Sequence, residues 1–475
     1  MELSMDSHKI HEECGVIGIY SSAGDIVTKD IYYGLIALQH RGQESAGISV
    51  SDTEGPKGNM ETHKGMGLVS EIFTGEEISK LRGNIGIGHV RYSTTGESNI
   101  KNAQPIAMNY IKGSLALVHN GNIVNAQELK KEQLYRGQAH FSTSDSEVLA
   151  YEIISQRIHT ETIEDAVKRT SRKIRGGYAL IVMSPRKLIA IRDPLGIKPL
   201  ALGKKKDAYI LASESAAIES IGGDFIRDIQ PGEIVSVTKD GIQSDTSLCR
   251  KKKAHCIFEY IYFARTDSII DGIGVRDARF RAGQALASRD AEELNKEAAG
   301  CPDFSNRFDL VAGVPDSGLV AAEGYAFESG LPLASIFHKN NYIGRSFIKP
   351  TDKERKDAVQ MKLSVLQSVV KGKRILLIDD SIVRGTTMNQ IIHVLRKAGA
   401  REIHVRISSP PFLYPCYYGT DVPSSHQLIA ADHSSEEICK RIHADSLAYL
   451  KIEDFGRMTG SLTLCKACFD GNYPI

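Results

Sequence analysis

The stretch Lys373-Arg374-Ile375-Leu376-Leu377-Ile378-Asp379-Asp380-Ser381-Ile382-Val383-Arg384-Gly385-Thr386-Thr387 decides how the chain is read. Ile375 to Ile378 is an apolar run too short for a helix and suited to a parallel strand covered on both faces. Two adjacent carboxylates follow at the strand's end, where open α/β sheets place their ligands. Ser381 to Thr387 then supplies backbone N–H groups, two threonine hydroxyls and one glycine, and Met388 to Lys397 is predicted to continue as a helix whose N-terminus faces the loop. That combination suits an anion. Asp379 and Asp380 are poor direct phosphate ligands. They suit either Mg²⁺ or the hydroxyls of a ribose, and a phosphorylated sugar meets both needs. A solvated turn after a core strand is the plain structural alternative.

The stretch resembles the phosphoribosyl diphosphate (PRPP) motif of the type I phosphoribosyltransferases. The resemblance implies that Asp379 and Asp380 hold the ribose hydroxyls or the metal. It also implies that Arg384, Gly385, Thr386 and Thr387, with Ser381 beside them, bind PRPP and wrap its 5′-phosphate.

At 475 residues the chain exceeds the size at which one core keeps growing, so two domains are expected. Its formal charge of +1 lacks the basic excess of a nucleic-acid or membrane-surface protein, and neither partner is expected. No apolar run reaches membrane-spanning length, and the acidic segment Met1 to Glu13 is not a secretory signal, so a cytoplasmic protein is expected. Eight cysteines are too few for a disulfide scaffold of this length, which points the thiols toward catalysis or metal binding.

Cys14 opens the strand-like run Cys14 to Tyr20, where a cysteine is ordinarily a small buried hydrophobe. Downstream, four segments arrive in order: Leu38-Gln39-His40-Arg41-Gly42-Gln43-Glu44-Ser45-Ala46-Gly47-Ile48, Gly88-His89-Val90-Arg91-Tyr92-Ser93-Thr94, Leu117-Val118-His119-Asn120-Gly121-Asn122-Ile123 and Ser142-Thr143-Ser144-Asp145-Ser146-Glu147. Together they resemble the glutamine amidotransferase domain of the N-terminal-nucleophile hydrolases. Attack on an unactivated carboxamide needs a nucleophile and a base. A cysteine at a chain terminus carries both, because its α-amine has a pKa of roughly 8. The resemblance implies Cys14 as nucleophile, the Asn120 side chain and Gly121 N–H as oxyanion donors, Arg91 on the glutamine carboxylate and Asp145 on its ammonium. Asn120-Gly121 is also expected to form a hairpin turn. A free amine on Cys14 requires removal of residues 1–13, and Glu12-Glu13-Cys14-Gly15-Val16 resembles a processing junction. Farther on, Asp193 to Leu200 resembles a structural turn of the same fold, and the charged, polar run Lys239 to Ala254 is expected to break the pattern at a domain boundary.

Beyond it, Glu259 to Ser268 resembles the opening of the amidophosphoribosyltransferase synthase domain, with Thr266 where that family more often has proline. Leu310 to Gly318 reads as a strand and a tight loop, and the resemblance makes Ser317 an Mg²⁺ ligand beside Asp379 and Asp380. Lys339 to Pro350 resembles a mobile loop over PRPP that uses Lys339, Tyr342 and Arg345, with Asn341 and Ser346 in place of the commoner arginine and threonine. A lid suits the chemistry, because water would intercept an oxocarbenium-like C1. Cys465-Lys466-Ala467-Cys468 could bind zinc, act in redox chemistry or be accidental. With Cys256 and Cys416 it matches the branch of the family that carries a [4Fe-4S] cluster, and such a cluster is expected here. Cys249, Cys301 and Cys439 read as ordinary residues.

Nearly the whole chain thus resembles the glutamine PRPP amidotransferases. The resemblance implies an α/β fold: residues 1–13 a propeptide, residues 14–250 a four-layer αββα glutaminase domain, and residues 251–475 a type I phosphoribosyltransferase domain with a parallel sheet and a C-terminal cluster-binding segment. The activity implied is hydrolysis of glutamine and transfer of its ammonia to C1 of PRPP, giving 5-phosphoribosylamine, glutamate and diphosphate in purine synthesis. Purine nucleotide inhibitors and a homo-oligomer, dimer or tetramer, come with it. The rival readings are a non-catalytic PRPP-sensing regulator, which would need no glutaminase, and another glutamine amidotransferase, which would need no PRPP loop.

Overall fold

The computed structural model describes residues 14–55, 59–92, 99–297, 303–340, 363–420 and 427–475. Residues 1–13, expected to be a propeptide, and Tyr342 and Arg345, expected in a lid, lie outside the described residues.

The first half stacks two antiparallel sheets. One has seven strands, in the order Asp224–Asp228, Ala201–Lys205, Ala208–Ala212, Gly15–Ser21, Ile85–Arg91, Ser45–Ser51 and Glu61–Met66. The other has six, in the order Gly241–Asp245, Ile234–Thr238, Lys187–Arg192, Gly176–Ser184, Gly113–Ile123 and Ile106–Tyr110. Gly15–Ser21 shows why the layers form. Every residue of it is buried, and side chains alternate between faces along a strand. Val16 and Tyr20 enter the core between the sheets with Ile87, Val118 and Ile181, while Ile17 and Ile19 pack outward against Ile31 and Leu35 of helix Thr28–Ala37. On the far side, helices Asp145–Ile158 and Ile163–Lys173 cover the second sheet through Leu149, Ile153 and Val167. The result is the expected αββα stack.

Within the polar run after Lys239 this unit keeps one more strand, inside the expected bound at residue 250. Gly241–Asp245 pairs with Ile234–Thr238 as the edge strand of the second sheet. An edge strand exposes much of its surface, so its polarity conceals it in sequence.

The second half is built on four parallel strands in the order Leu310–Gly313, Arg374–Asp379, Glu402–Ile407 and Ser446–Tyr449. Alternate residues serve two cores: Leu376 and Ile378 pack with Ala282 and Leu286 of helix Val275–Glu297, and Ile375 and Leu377 with Ile391 and Leu395 of helix Thr386–Lys397. Helices Val275–Glu297 and Leu319–Ser329 touch backbone to backbone. A Cβ on Gly283 would lie 1.9 Å from Ala321 O, and one on Gly324 would lie 1.9 Å from Phe280 O. This contact seats the helix that follows the Ser317 loop. Glu259–Phe263, at the start of this half, is a π-helical turn. Buried Arg279 holds it by donating to the carbonyls of Tyr260 at 2.9 Å, Tyr262 at 2.8 Å and Ala264 at 2.7 Å.

Candidate active sites

Cys14 stands just before its strand, buried, with Sγ 3.7 Å from the Tyr92 carbonyl. Burial pushes its thiol up to about 11, against the opposing pull of the Arg91 guanidinium; Asp145 and Glu44 also act on it. Cys14, Arg91 and Asp145, distant in sequence, therefore share one neighbourhood. Such a thiol is protonated at neutral pH and needs a base to become a nucleophile.

Arg91 closes strand Ile85–Arg91 and pairs through Nη1 with Glu44 Oε1 at 2.8 Å. Sequence reasoning gave Glu44 no role, although it lies inside a quoted motif. Asp145 is the first residue of its helix, and its Oδ2 accepts from Ile123 N at 3.0 Å. Burial pushes this carboxyl up, but nearby His119 and the N–H groups of Ile123 and Ser146 outweigh it and hold the group below its ordinary value.

Asn120 and Gly121 are not a hairpin turn. They lie within strand Gly113–Ile123, paired with Ala179 and Tyr178 of the neighbouring strand. The pairing partner lies more than fifty residues away, so the Asn-Gly dipeptide could not reveal it. Gly121 has φ +135°, and a Cβ there would lie 2.0 Å from Gly177 O. The Asn120 amide is fully buried, and neither Nδ2 nor Oδ1 has a hydrogen-bond partner among the described residues. An orphaned buried amide costs roughly 1–3 kcal/mol, and a hydrogen-bonding atom of a ligand is one partner that would offset that cost.

In the second half, Asp379 ends strand Arg374–Asp379, and both it and Asp380 are buried. Asp380 N donates to Asp379 Oδ1 at 3.0 Å, and the hydroxyls of Ser317 and Ser381 both donate to the Asp380 carboxylate. Gly385 adopts φ +78° ahead of helix Thr386–Lys397, which starts two residues earlier than expected and takes in Thr386 and Thr387. Arg384 bonds Gln427, and Lys339 pairs with Asp316. Ser317, Asp379, Asp380 and Ser381 thus converge, an all-oxygen set of the kind hard cations prefer.

Cys256, Cys416, Cys465 and Cys468 line one cavity together with Lys198, which is fully buried. Strands His255–Cys256 and Leu464–Cys465 pair in parallel with Cys256 opposite Cys465. Burial pushes the Cys465 thiol up to about 12. At Cys468 burial acts first, and the three other thiols add to it. Among the described residues, no group of three or more His, Cys, Asp or Glu side chains closes tightly enough to hold a metal ion. Lys198 was assigned only to a structural turn by sequence; its place at the thiol cavity was missed.

Two folds with separate sites in one chain define the class: a glutamine amidotransferase joined to a phosphoribosyltransferase. Residues 89–220 match the glutamine amidotransferase domain model, and residues 284–408 match the phosphoribosyl transferase domain model. The amidophosphoribosyltransferase of Pyrococcus horikoshii is 47% identical over 463 residues, covering 98% of this chain and 97% of its own. That of Methanothermobacter thermautotrophicus is 44% identical over 469 residues, covering 98% and 95%. A solved glutamine PRPP amidotransferase from B. subtilis, complexed with ADP and GMP, superposes with a TM-score of 0.86 at 42% identity, covering 97% of both chains. The chain belongs to the amidophosphoribosyltransferase family, enzymes of the first step of purine biosynthesis. No helix among the described residues is long and apolar enough to cross a membrane.

Proposed function

We propose that this chain makes 5-phosphoribosylamine from glutamine and PRPP, with the following division of labour. Cleavage after Glu13 exposes the α-amine of Cys14, which takes the thiol proton as Sγ attacks the carboxamide carbon. The amine then returns the proton to the departing ammonia. Asn120 Nδ2 and Gly121 N–H receive the oxyanion; Arg91, shared with Glu44, holds the substrate carboxylate and Asp145 its ammonium. Water hydrolyses the thioester and frees glutamate. Burial keeps the thiol protonated until the amine acts, which fits a nucleophile that carries its own base.

The ammonia attacks C1 of PRPP and diphosphate leaves. In this reading Arg384, Gly385, Thr386 and Thr387 hold the 5′-phosphate, while Asp379, Asp380 and Ser381 hold the ribose end. Lys339, with Tyr342 and Arg345, covers the diphosphate. Mg²⁺, which Ser317, Asp379 and Asp380 would hold, supplies positive charge against the leaving diphosphate when bound. The oxygen-only donor set fits it. Cys256, Cys416, Cys465 and Cys468 fit a [4Fe-4S] cluster: four thiols line one cavity, and the buried Lys198 cation offsets the charge that such a centre would bring. Its part is structural, tying the C-terminal segment to the synthase half. Purine nucleotides act as inhibitors, consistent with ADP and GMP on the solved relative. The same reading takes the enzyme as a cytoplasmic homo-oligomer, dimer or tetramer.

The single observation that carries the glutaminase assignment is the buried, unpartnered Asn120 amide on the strand that leads to Gly121. One assay tests the whole: with glutamine and PRPP together, glutamate and diphosphate should appear in equal amounts. Diphosphate-free release of glutamate at an unchanged rate would sink the coupled reaction.

A further inference from the structure

Three consecutive residues of the second half, Tyr417, Tyr418 and Gly419, reach across to the strand that carries Asn120 and Gly121. Asn122 Nδ2 donates to the Tyr417 carbonyl at 2.9 Å. A Cβ on Gly177, which pairs with Asn122 in the sheet, would lie 3.3 Å from Tyr418 Cβ. Gly419 has φ +110°, and a Cβ there would lie 2.9 Å from Gly121 C, 3.0 Å from Gly121 Cα and 3.2 Å from Asn122 N. All three are backbone atoms, which cannot swing aside as a side-chain tip can. Gly121 is therefore closed in from two directions, by Gly177 of its own sheet and by Gly419 of the other half. The segment is itself held in place. Tyr418 is buried, its N–H donates to Cys416 Sγ at 3.4 Å, and its hydroxyl accepts from Ile475 N at 3.3 Å.

We infer that Tyr417–Gly419 is a positioning element of the glutaminase site, supplied by the phosphoribosyltransferase half, which fixes the Gly121 peptide where the oxyanion forms. The inference rests on the reading of Asn120 and Gly121 as oxyanion donors. The physical argument is one of tolerance. A preorganised donor stabilises the transition state only when it already points at the developing charge, and displacement by about 1 Å can cost on the order of 100-fold in rate. Gly121 sits at a φ that regular strands do not use, so its neighbours must hold its backbone, and Gly419 and the Asn122–Tyr417 hydrogen bond join Gly177 as the neighbours in contact. Amide hydrolysis thus depends on a loop that no glutamine motif contains.

The test compares Gly419→Ala, Asn122→Ala and Asn120→Ala in the full-length mature enzyme. Kinetics of glutamine hydrolysis would be measured beside phosphoribosylamine formation from free ammonia. Inhibition by glutamate γ-semialdehyde adds a readout specific to the donors: Cys14 Sγ bonds to its carbonyl carbon, the C=O becomes a single bond, and the thiol proton goes to the oxygen, which occupies the donor pocket. Gly419→Ala is expected to lower kcat for hydrolysis roughly tenfold, and Asn122→Ala less, with KM for glutamine unchanged. Both should weaken the aldehyde in step with kcat and leave the ammonia-dependent rate intact. If Asn120→Ala is inactive while Gly419→Ala and Asn122→Ala hydrolyse glutamine at the parent rate, the inference fails and the donor reading stands. If Asn120→Ala hydrolyses glutamine normally, the donor reading itself fails. A parallel loss of the ammonia-dependent rate overturns the inference too, since the segment would then support the fold as a whole.

Discussion

The Arg41 guanidinium donates through Nη2 to Glu259 Oε2 at 2.6 Å, joining the loop after helix Thr28–Ala37 to the π-helical turn that opens the second half. Both side chains are buried, and Arg41 Nε also pairs with Glu214. Glu214 Oε2 in turn accepts from Arg265 N at 2.9 Å and Ser268 Oγ at 2.6 Å. Arg41 thus sits out of water between a carboxylate from each half, and removing Glu259 breaks the buried ion pair that joins the halves while the pair with Glu214 remains. Glu259→Gln is expected to destabilise the chain by on the order of 3 kcal/mol. Thermal unfolding should show a clearly lower midpoint, and an unchanged midpoint would refute a structural role for the pair.

Cys14→Ala should abolish glutamine hydrolysis yet keep phosphoribosylamine formation from ammonia, because the second site does not use the thiol. Intact mass supplies the companion check: active preparations should begin at Cys14. Full glutaminase activity in chains that retain residues 1–13 would contradict a free α-amine as base.

Asp379→Asn with Asp380→Asn removes two buried carboxylates from the end of strand Arg374–Asp379. PRPP use should weaken by at least tenfold with either nitrogen donor, while basal glutamine hydrolysis stays measurable. Steady-state kinetics with ammonia in place of glutamine isolates the effect, and unchanged PRPP kinetics would refute the assignment.

Anaerobically purified protein is expected to be brown and to contain iron and sulfide, and Cys465→Ser is expected to yield little soluble protein. Metal affinity should rise with pH, because binding displaces protons from thiols that burial holds protonated. Stoichiometric zinc without iron or sulfide would replace the cluster with a different centre.

Stability should carry a pH signature from Asp228. Burial first, then the neighbouring Asp271 carboxylate, pushes its carboxyl up to about 7 from an ordinary 3.8. The native state therefore binds this proton more tightly than the unfolded chain does. Stability from this group is present at low pH, declines as pH rises from about 4 to 7, and stays lost above that. Asp228→Asn removes the ionisation. It should raise the unfolding midpoint relative to the parent at pH 8, with the gap shrinking toward pH 4. A gap of the same size at both ends would show that ionisation is not the cause.

Much of the molecule was legible from local chemistry. The apolar run before Asp379-Asp380 is a parallel strand with its carboxylates at the C-terminal end, and the apolar runs around Val182 and Ile189 are strands, because covered strands declare themselves by composition. The glutamine and PRPP motifs were readable for the same reason: each is a short run whose residue types are set by its own chemistry. Some features answer instead to partners far along the chain. Asn120-Gly121 is a strand because Ala179 and Tyr178 pair with it, not a turn as its dipeptide suggests. Glu44 meets Arg91, and Lys198 joins the thiol cavity. Gly419 presses on Gly121, and Arg279 braces the turn at Tyr260. Sequence determined which groups the chain carries and the local shape around most of them. Only the tertiary structure decided which of those groups meet, because burial and contact depend on neighbours that no local pattern records.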